Sequence, residues 1–271
     1  MFKDFVSDLK LIKKLSFNDF KAKFSGSYFG VLWAFVQPIV TIMIYVFVFQ
    51  VGFKAADTDN GYPYVLWLIA GIIPWFFFSE ALQNASNCLV EYSYLVKKVV
   101  FKIDVLPVVK IVSSLFVHLF FIVFAVAVYL INKRPIMIEF LQIPYYMFAC
   151  ICLVYSISYF TASIVPFFRD FAQIVNIVLQ VGMWMCPIMW NENMLLSSPN
   201  EFISGTLSQI IKLNPVYYIV KGYRSCFMGG ENGWFWQHPR LTLYFWAVVI
   251  ILYFISQKVY KKLKVHFPDV L

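Results

Sequence analysis

An all-α integral membrane fold is what this sequence predicts, and three observations carry that expectation. Six long apolar runs, at 30–51, 64–82, 105–131, 143–168, 171–190 and 241–259, are separated by short charged punctuation. Each run is near the roughly 20 residues that a helix needs to cross about 30 Å of hydrocarbon. The chain is 61% hydrophobic and only 13% charged, with a mean hydropathy of +0.74. A soluble domain would need solvent-facing polar residues between its apolar ones, and here whole helices lack them. The runs do not alternate apolar with polar and are too long for membrane strands, so the backbone must satisfy itself as helix. The expectation is six transmembrane helices, an N-terminal amphipathic interface helix, two short re-entrant helices before the last span, and both termini cytoplasmic. It is one domain, 1–271, with segments at 1–25 (interface helix), 30–190 (spans one to five), 191–240 (outer segment) and 241–271 (last span and tail).

Taken in order, residues 1–25 place Phe2, Phe5, Val6, Leu9 and Ile12 at helical spacing, interrupted by Lys3, Lys10, Lys13 and Lys14. Such a helix lies in the membrane interface, or packs on the protein's own cytoplasmic face, or both. The link 87–104 mixes Lys97, Lys98 and Lys102 with Leu95, Val96, Val99, Val100 and Phe101. A solvent loop has no use for those apolar residues, so a short amphipathic helix docked on headgroups or on a cytoplasmic protein is expected. Pro166 to Asp170 is a tight corner in which Arg169 and Asp170 can neutralise one another. In 191–240, two helical patterns at 202–213 and 216–228 are each too short or too charged to span. Asn214-Pro215 breaks them apart and Gly229-Gly230 stops the second. Half-helices dipping into the outer leaflet fit best, with a seventh span as the alternative.

Charge supports the orientation. The net +8 is concentrated in Lys3, Lys10, Lys13, Lys14, Lys21, Lys23, Lys97, Lys98, Lys102, Arg169, Lys258, Lys261, Lys262 and Lys264. Six spans put all of these on one side, and the positive-inside rule makes it the cytoplasm. Lys133-Arg134 runs against the trend. A distribution that follows membrane topology gives no reason to invoke nucleic acid. The first 25 residues have no continuous apolar core or small-residue cleavage site, so they do not read as a signal peptide. The five cysteines show no metal spacing; Cys186 and Cys226, both on the outer side, are either paired or two free thiols.

No catalytic constellation is visible. His118, His238 and His266 are scattered, Glu80 and His118 stand as isolated ionisable groups in apolar runs, and no GxxxxGK[ST] phosphate loop occurs. If ATP is used, another chain binds it. The polar residues inside spans say more. Trp33, Gln37, Thr41, Tyr45 and Phe49 recur every four residues in the first run, and Gln173, Asn176, Gln180 and Trp184 form a second stripe in the fifth. An amide left unpartnered in hydrocarbon costs several kcal/mol, so these faces look at protein or at a wet passage. Interhelical hydrogen bonding explains them as well as a conduit does.

Several strings then stand together in order: Gly30-Val31-Leu32-Trp33 with Gln37-Pro38; Leu95-Val96-Lys97-Lys98 with Phe101 and Val105-Leu106-Pro107; Phe168-Arg169-Asp170; Pro187-Ile188; Asn214-Pro215 with Tyr218, Gly222-Tyr223-Arg224 and Gly229-Gly230; and Phe267-Pro268-Asp269-Val270. Over nearly the whole chain this set resembles the permease subunits of type-2 ABC exporters, most of all those that export O-antigen, teichoic acid or capsular polysaccharide. The resemblance implies a channel-forming, non-enzymatic subunit of the bacterial cytoplasmic membrane. A second copy and two ATPase subunits would complete it, with ATP and Mg on those partners and no cofactor or metal on this chain. The cargo would be a lipid-linked polysaccharide. The resemblance assigns Trp33, Gln37, Thr41, Tyr45, Phe49, Asn176, Gln180 and Trp184 to the channel wall. It assigns Leu95, Lys97, Lys98, Phe101, Arg169 and Asp170 to ATPase coupling, and Asn214, Pro215, Tyr218 and Arg224 to an outer gate. Lys102-Ile103-Asp104 departs from the family pattern. A drug or small-lipid exporter of the same architecture is the alternative, and a membrane-embedded transferase is a more distant one.

Overall fold

The computed structural model describes residues 2–54, 61–97, 102–229 and 233–271, and its regular structure is helical throughout, with no strand among the described residues. In chain order the helices are α1 (Phe2–Lys23), α2 (Trp33–Val46), α3 (Tyr64–Glu91), α4 (Ser93–Val96), α5 (Leu106–Ile131), α6 (Ile143–Ile164), α7 (Phe171–Met185), α8 (Asn193–Leu196), α9 (Ser208–Lys212), α10 (Pro215–Met228), α11 (Pro239–Lys264) and α12 (Phe267–Val270). Short 3₁₀ turns lead into α2, α5, α6 and α11, while α2 runs out into, and α9 grows from, a π-helical stretch. Prolines mark many of the starts. Pro107, Pro144, Pro215 and Pro239 all sit in first turns, where the missing N–H has no helical partner to lose.

Among the described residues five helical stretches are long and apolar enough to cross a membrane: Gly30–Gly52, Tyr64–Glu91, Ile103–Ile131, Ile138–Ile164 and Pro239–Lys264. The fifth expected span is instead the 15-residue α7, about 22 Å long at 1.5 Å per residue. It stops at Met185 rather than reaching residue 190, because Cys186 precedes Pro187 and is held extended at ψ 135°. Conversely α3 runs nine residues past the expected end at 82, to Glu91. It therefore takes up the start of the expected cytoplasmic link.

α3 is the axis of the bundle. It packs against α5, α6, α7 and α10, while α11 lies on α6 and α1 on α5. A second, smaller core closes the end that carries most of the lysines, here the basic end. Cys88, Leu89, Val96, Ile103, Leu106, Tyr159, Ala162, Tyr260 and Phe267 are its buried members, with Leu95 packed against them. Leu95 and Val96 of the link therefore dock inward on the protein itself, and the tail folds back to seal them with Phe267, fully buried beside Tyr260. Val99, Val100 and Phe101 lie outside the described residues, as does Gly230.

α1 packs on the protein too. Lys110 of α5, almost fully buried, reaches Asp19 at 2.7 Å and Glu91 at 2.5 Å, and the Tyr92 hydroxyl donates to Asp19 at 2.5 Å. Burial and the neighbouring carboxylate raise the Tyr92 phenol above its ordinary range, so it stays a donor. Phe17 and Phe20 close on Phe116, and Lys23 forms an ion pair with Glu80. Lys10, Lys13 and Lys14 remain exposed. The ends that run against the charge trend are also accounted for: Arg134 donates to the Gly61 carbonyl and lies over the Tyr62 ring.

Candidate functional site

The two intramembrane stripes occupy the helices that the chain covers least. Only 11% of the apolar window of Gly30–Gly52 is buried, against 78% for Tyr64–Glu91. On α2, Trp33 and Gln37 are exposed. The stripe drifts by about 40° every four residues, and by Tyr45 and Phe49 it has turned onto the core, with Phe49 stacked on Tyr64. Thr41, between them, donates its hydroxyl to the Gln37 carbonyl at 3.0 Å, close to where Pro38 interrupts the ladder. On α7, Gln173, Gln180 and Trp184 are exposed and Asn176 half-buried, while Val175 and Leu179 on the opposite face are buried. Gly182 lets this helix lie against Trp75, whose ring would stand 3.1 Å from an added Cβ.

Residues assigned to coupling lie at the basic end. Lys97, Arg169 and Asp170 are exposed, and no ion pair joins Arg169 to Asp170 among the described residues. Leu95 serves the second core rather than the surface. Lys98 and Phe101 lie outside the described residues. The departure at 102–104 has a structural use here: Asp104 binds Lys264 at 2.6 Å, and its carbonyl accepts from Tyr159 at 2.6 Å.

At the other end, Asn214 caps α10 by accepting from the Val216 N–H at 3.0 Å, which fixes the break before Pro215. Tyr218 is buried and shares hydroxyl bonds with Tyr145 and Thr242. Arg224 is the pin of this region. Its guanidinium donates to the Pro187 carbonyl at 2.6 Å and the Ile188 carbonyl at 2.8 Å, and lies 3.5 Å from the Trp67 ring centre. It thereby ties α10 to the chain leaving α7 and to the top of α3. Gly71 makes room for it, since a Cβ there would fall 2.7 Å from the guanidinium. A cavity of about 190 Å³ opens beside it, lined by Trp67, Glu192, Tyr217 and Lys221 among others. Close packing continues along α10, where a Cβ on Gly222 would stand 2.1 Å from the Tyr146 ring.

The isolated ionisable groups of the spans have structural partners. Glu80 holds Lys23, and buried His118 shares a 2.7 Å hydrogen bond with the Tyr223 hydroxyl. Cys186 and Cys226 are both free and buried. No group of three metal-ligating side chains occurs among the described residues. Two features escaped the sequence pattern. Lys110 is linked to Asp19 across 91 residues, which no local spacing reveals. Gln83 and Asn87 lie beyond the apolar run that ends at residue 82, yet amides four apart on one helix face are a legible signal.

The pattern of family-scale similarity covers these same elements. The ABC-2 type transporter family matches residues 10–228. The chain belongs to this family. Two relatives, each an "O-antigen export system permease protein RfbA" from Klebsiella pneumoniae, are 24% identical over 262 residues, 96% of this chain and 95% of theirs. A protein of the same name from Myxococcus xanthus is 22% identical over 259 residues, 96% of this chain and 94% of its own. With several helices long and apolar enough to span, the chain is a multi-pass membrane protein of a transporter family.

Proposed function

We propose that this chain is the channel-forming permease of an ATP-driven exporter that moves a lipid-linked polysaccharide of the O-antigen type across the bacterial cytoplasmic membrane. The observation that carries this beyond family membership is the placement of Trp33, Gln37, Gln180 and Trp184 on the uncovered faces of α2 and α7. Amides held at membrane depth need partners, and rings beside amides suit a sugar chain: the rings stack on its C–H faces while the amides meet its hydroxyls. The relatives named as O-antigen permeases support the same cargo.

In this reading the basic end faces the cytoplasm, α7 completes six spans despite its length, and α9 and α10 are re-entrant helices of an outer gate pinned by Arg224. A second copy closes the channel, and two ATPase subunits, carrying ATP and Mg, dock on the basic end at Lys97, Arg169 and Asp170 together with Lys98 and Phe101. Thr41, Tyr45, Phe49 and Asn176 extend the wall, while Asn214, Pro215 and Tyr218 set the gate. The exposed rings and amides favour this over a drug or small-lipid exporter, whose wall would have no need of hydroxyl partners.

Purification from gently solubilised membranes tests the class: an ATPase subunit with a phosphate loop is expected to accompany the chain. A homo-oligomer without it overturns the proposal. Polysaccharide export by cells carrying Trp33→Ala with Trp184→Ala tests the cargo, and a full rate in that variant would make these faces packing surfaces.

A further inference from the structure

Three amides meet where α3 passes α7 near the basic end, and a fourth, Asn87, lies one turn further along α3. Gln83 Nε2 donates to Asn176 Oδ1 at 2.5 Å, Asn176 Nδ2 donates to Gln173 Oε1 at 3.4 Å, and Asn87 Nδ2 donates to the Gln83 carbonyl at 3.0 Å. Gln83 and Gln173 are exposed, and Asn87 and Asn176 half-buried. Each amide can donate twice and accept twice. Gln83 Oε1, Asn87 Oδ1 and the second N–H of each amide have no partner among the described residues. Gln83 lies eight residues from the end of α3 at Glu91, and Asn176 five from the start of α7 at Phe171. At 1.5 Å per residue both are roughly 8–12 Å in from their helix ends. Because α3, at 28 residues, outruns the roughly 30 Å of hydrocarbon, these exposed valences lie at the mouth of the basic end, open to a polar partner from outside this chain.

We infer that Gln83 and Asn87 of α3, with Gln173 and Asn176 of α7, form a hydrogen-bonding rail for sugar hydroxyls in the cytoplasmic part of the export path. This rests on the reading of the chain as a polysaccharide permease and extends its wall to α3. Three features select a sugar chain as the occupant. The four groups are uncharged and offer donors and acceptors alike, as a hydroxyl does. They are continuous with Gln180 and Trp184: the four α7 positions fall within an arc of about 80°, over roughly 16 Å of helix. And neutral hydrogen bonds are individually weak once water competes, so a chain can be passed along rather than held. Of the charges about a turn away, Glu80 is paired with Lys23 of α1 and Glu91 with Lys110, while Arg169 and Asp170 stand exposed just before α7.

The test uses the full exporter with its ATPase partner, in cells and in inside-out membrane vesicles. Asn87→Leu with Gln173→Leu is expected to slow polysaccharide export roughly fivefold or more, with the amount of assembled exporter unchanged. Asn87→Gln, which keeps the amide, is expected to lose less than Asn87→Leu. Asn87→Cys and Gln173→Cys, each in a cysteine-free background, are expected to react with a charged thiol reagent applied from the cytoplasmic side. Reaction should slow while polysaccharide is in transit. Unreactive thiols would place the amides against lipid or protein and overturn the inference. So would spontaneous cross-linking of Asn87→Cys between two copies, which would make the patch a dimer contact. If the unmodified exporter moves no polysaccharide, the broader functional reading fails instead, whatever the labelling shows.

Discussion

α3 and Gly30–Gly52, the stretch built on α2, are both apolar and of spanning length, yet one has 78% of its apolar window buried by this chain and the other 11%. Hydrophobicity therefore does not say what a membrane helix touches. In α3 the neighbours are residues of the same chain: Leu66, Leu68, Ala70, Ile72 and Ala81 are essentially sealed, and small residues let α5, α6 and α10 close in. Along α2 and into the π-helical turn after it, the exposed face carries Trp33 and Gln37 alongside Val40, Met43, Ile44 and Phe47. A helix facing only lipid has no reason to hold an amide there. The sequestered helix teaches how the protomer stands, and the uncovered one shows what it is built to meet.

That contrast can be broken at several points. The largest effect is expected from the sequestered side: Lys110→Met removes the buried cation and leaves Asp19 without its charge partner, at a cost of about 3–5 kcal/mol. A lowered Tm of the detergent-solubilised protein, with earlier proteolysis within α1, would register it. Gly222→Ala comes next, because the new Cβ meets the Tyr146 ring across the α10–α6 contact. Overpacking there is expected to cost about 1–3 kcal/mol, read as a Tm shift and poorer accumulation in membranes. Cutting the exposed Lys23–Glu80 pair with Lys23→Ala should cost about 0.5 kcal/mol or less. Smallest of all in stability is Gln37→Leu on α2, expected within about 0.5 kcal/mol of the parent, while export slows. A stability loss there comparable to that of Lys110→Met would show that α2 is a packing helix after all.

Much of the fold was legible because lipid restricts the choices. The apolar runs and the break at Asn214-Pro215 are local signals, and each has a helix or a helix break in its place. Errors arose at ends. The fifth run continues in composition to residue 190, but the backbone before Pro187 cannot stay helical. α3 outruns its apolar stretch because Ser86 and Asn87, polar by type, still bond back to the carbonyls of Leu82 and Gln83. Of the candidate path, amides and rings at fourfold spacing could be read directly. Which of them face outward could not, since the stripe of α2 winds from exposed Trp33 to Phe49 against Tyr64.

The sequence by itself determined that this is a helical membrane protein, which segments are basic, where the chain breaks before α10, and which polar residues fall within the apolar runs. These follow from composition and short-range periodicity, which act on neighbours in the chain. Only the tertiary structure decided that Lys110 binds Asp19 and Glu91, that Arg224 clasps the carbonyls after α7, and that Gln83 meets Asn176. Such contacts join residues tens of positions apart, and their energies depend on burial and geometry that exist only once the helices have packed.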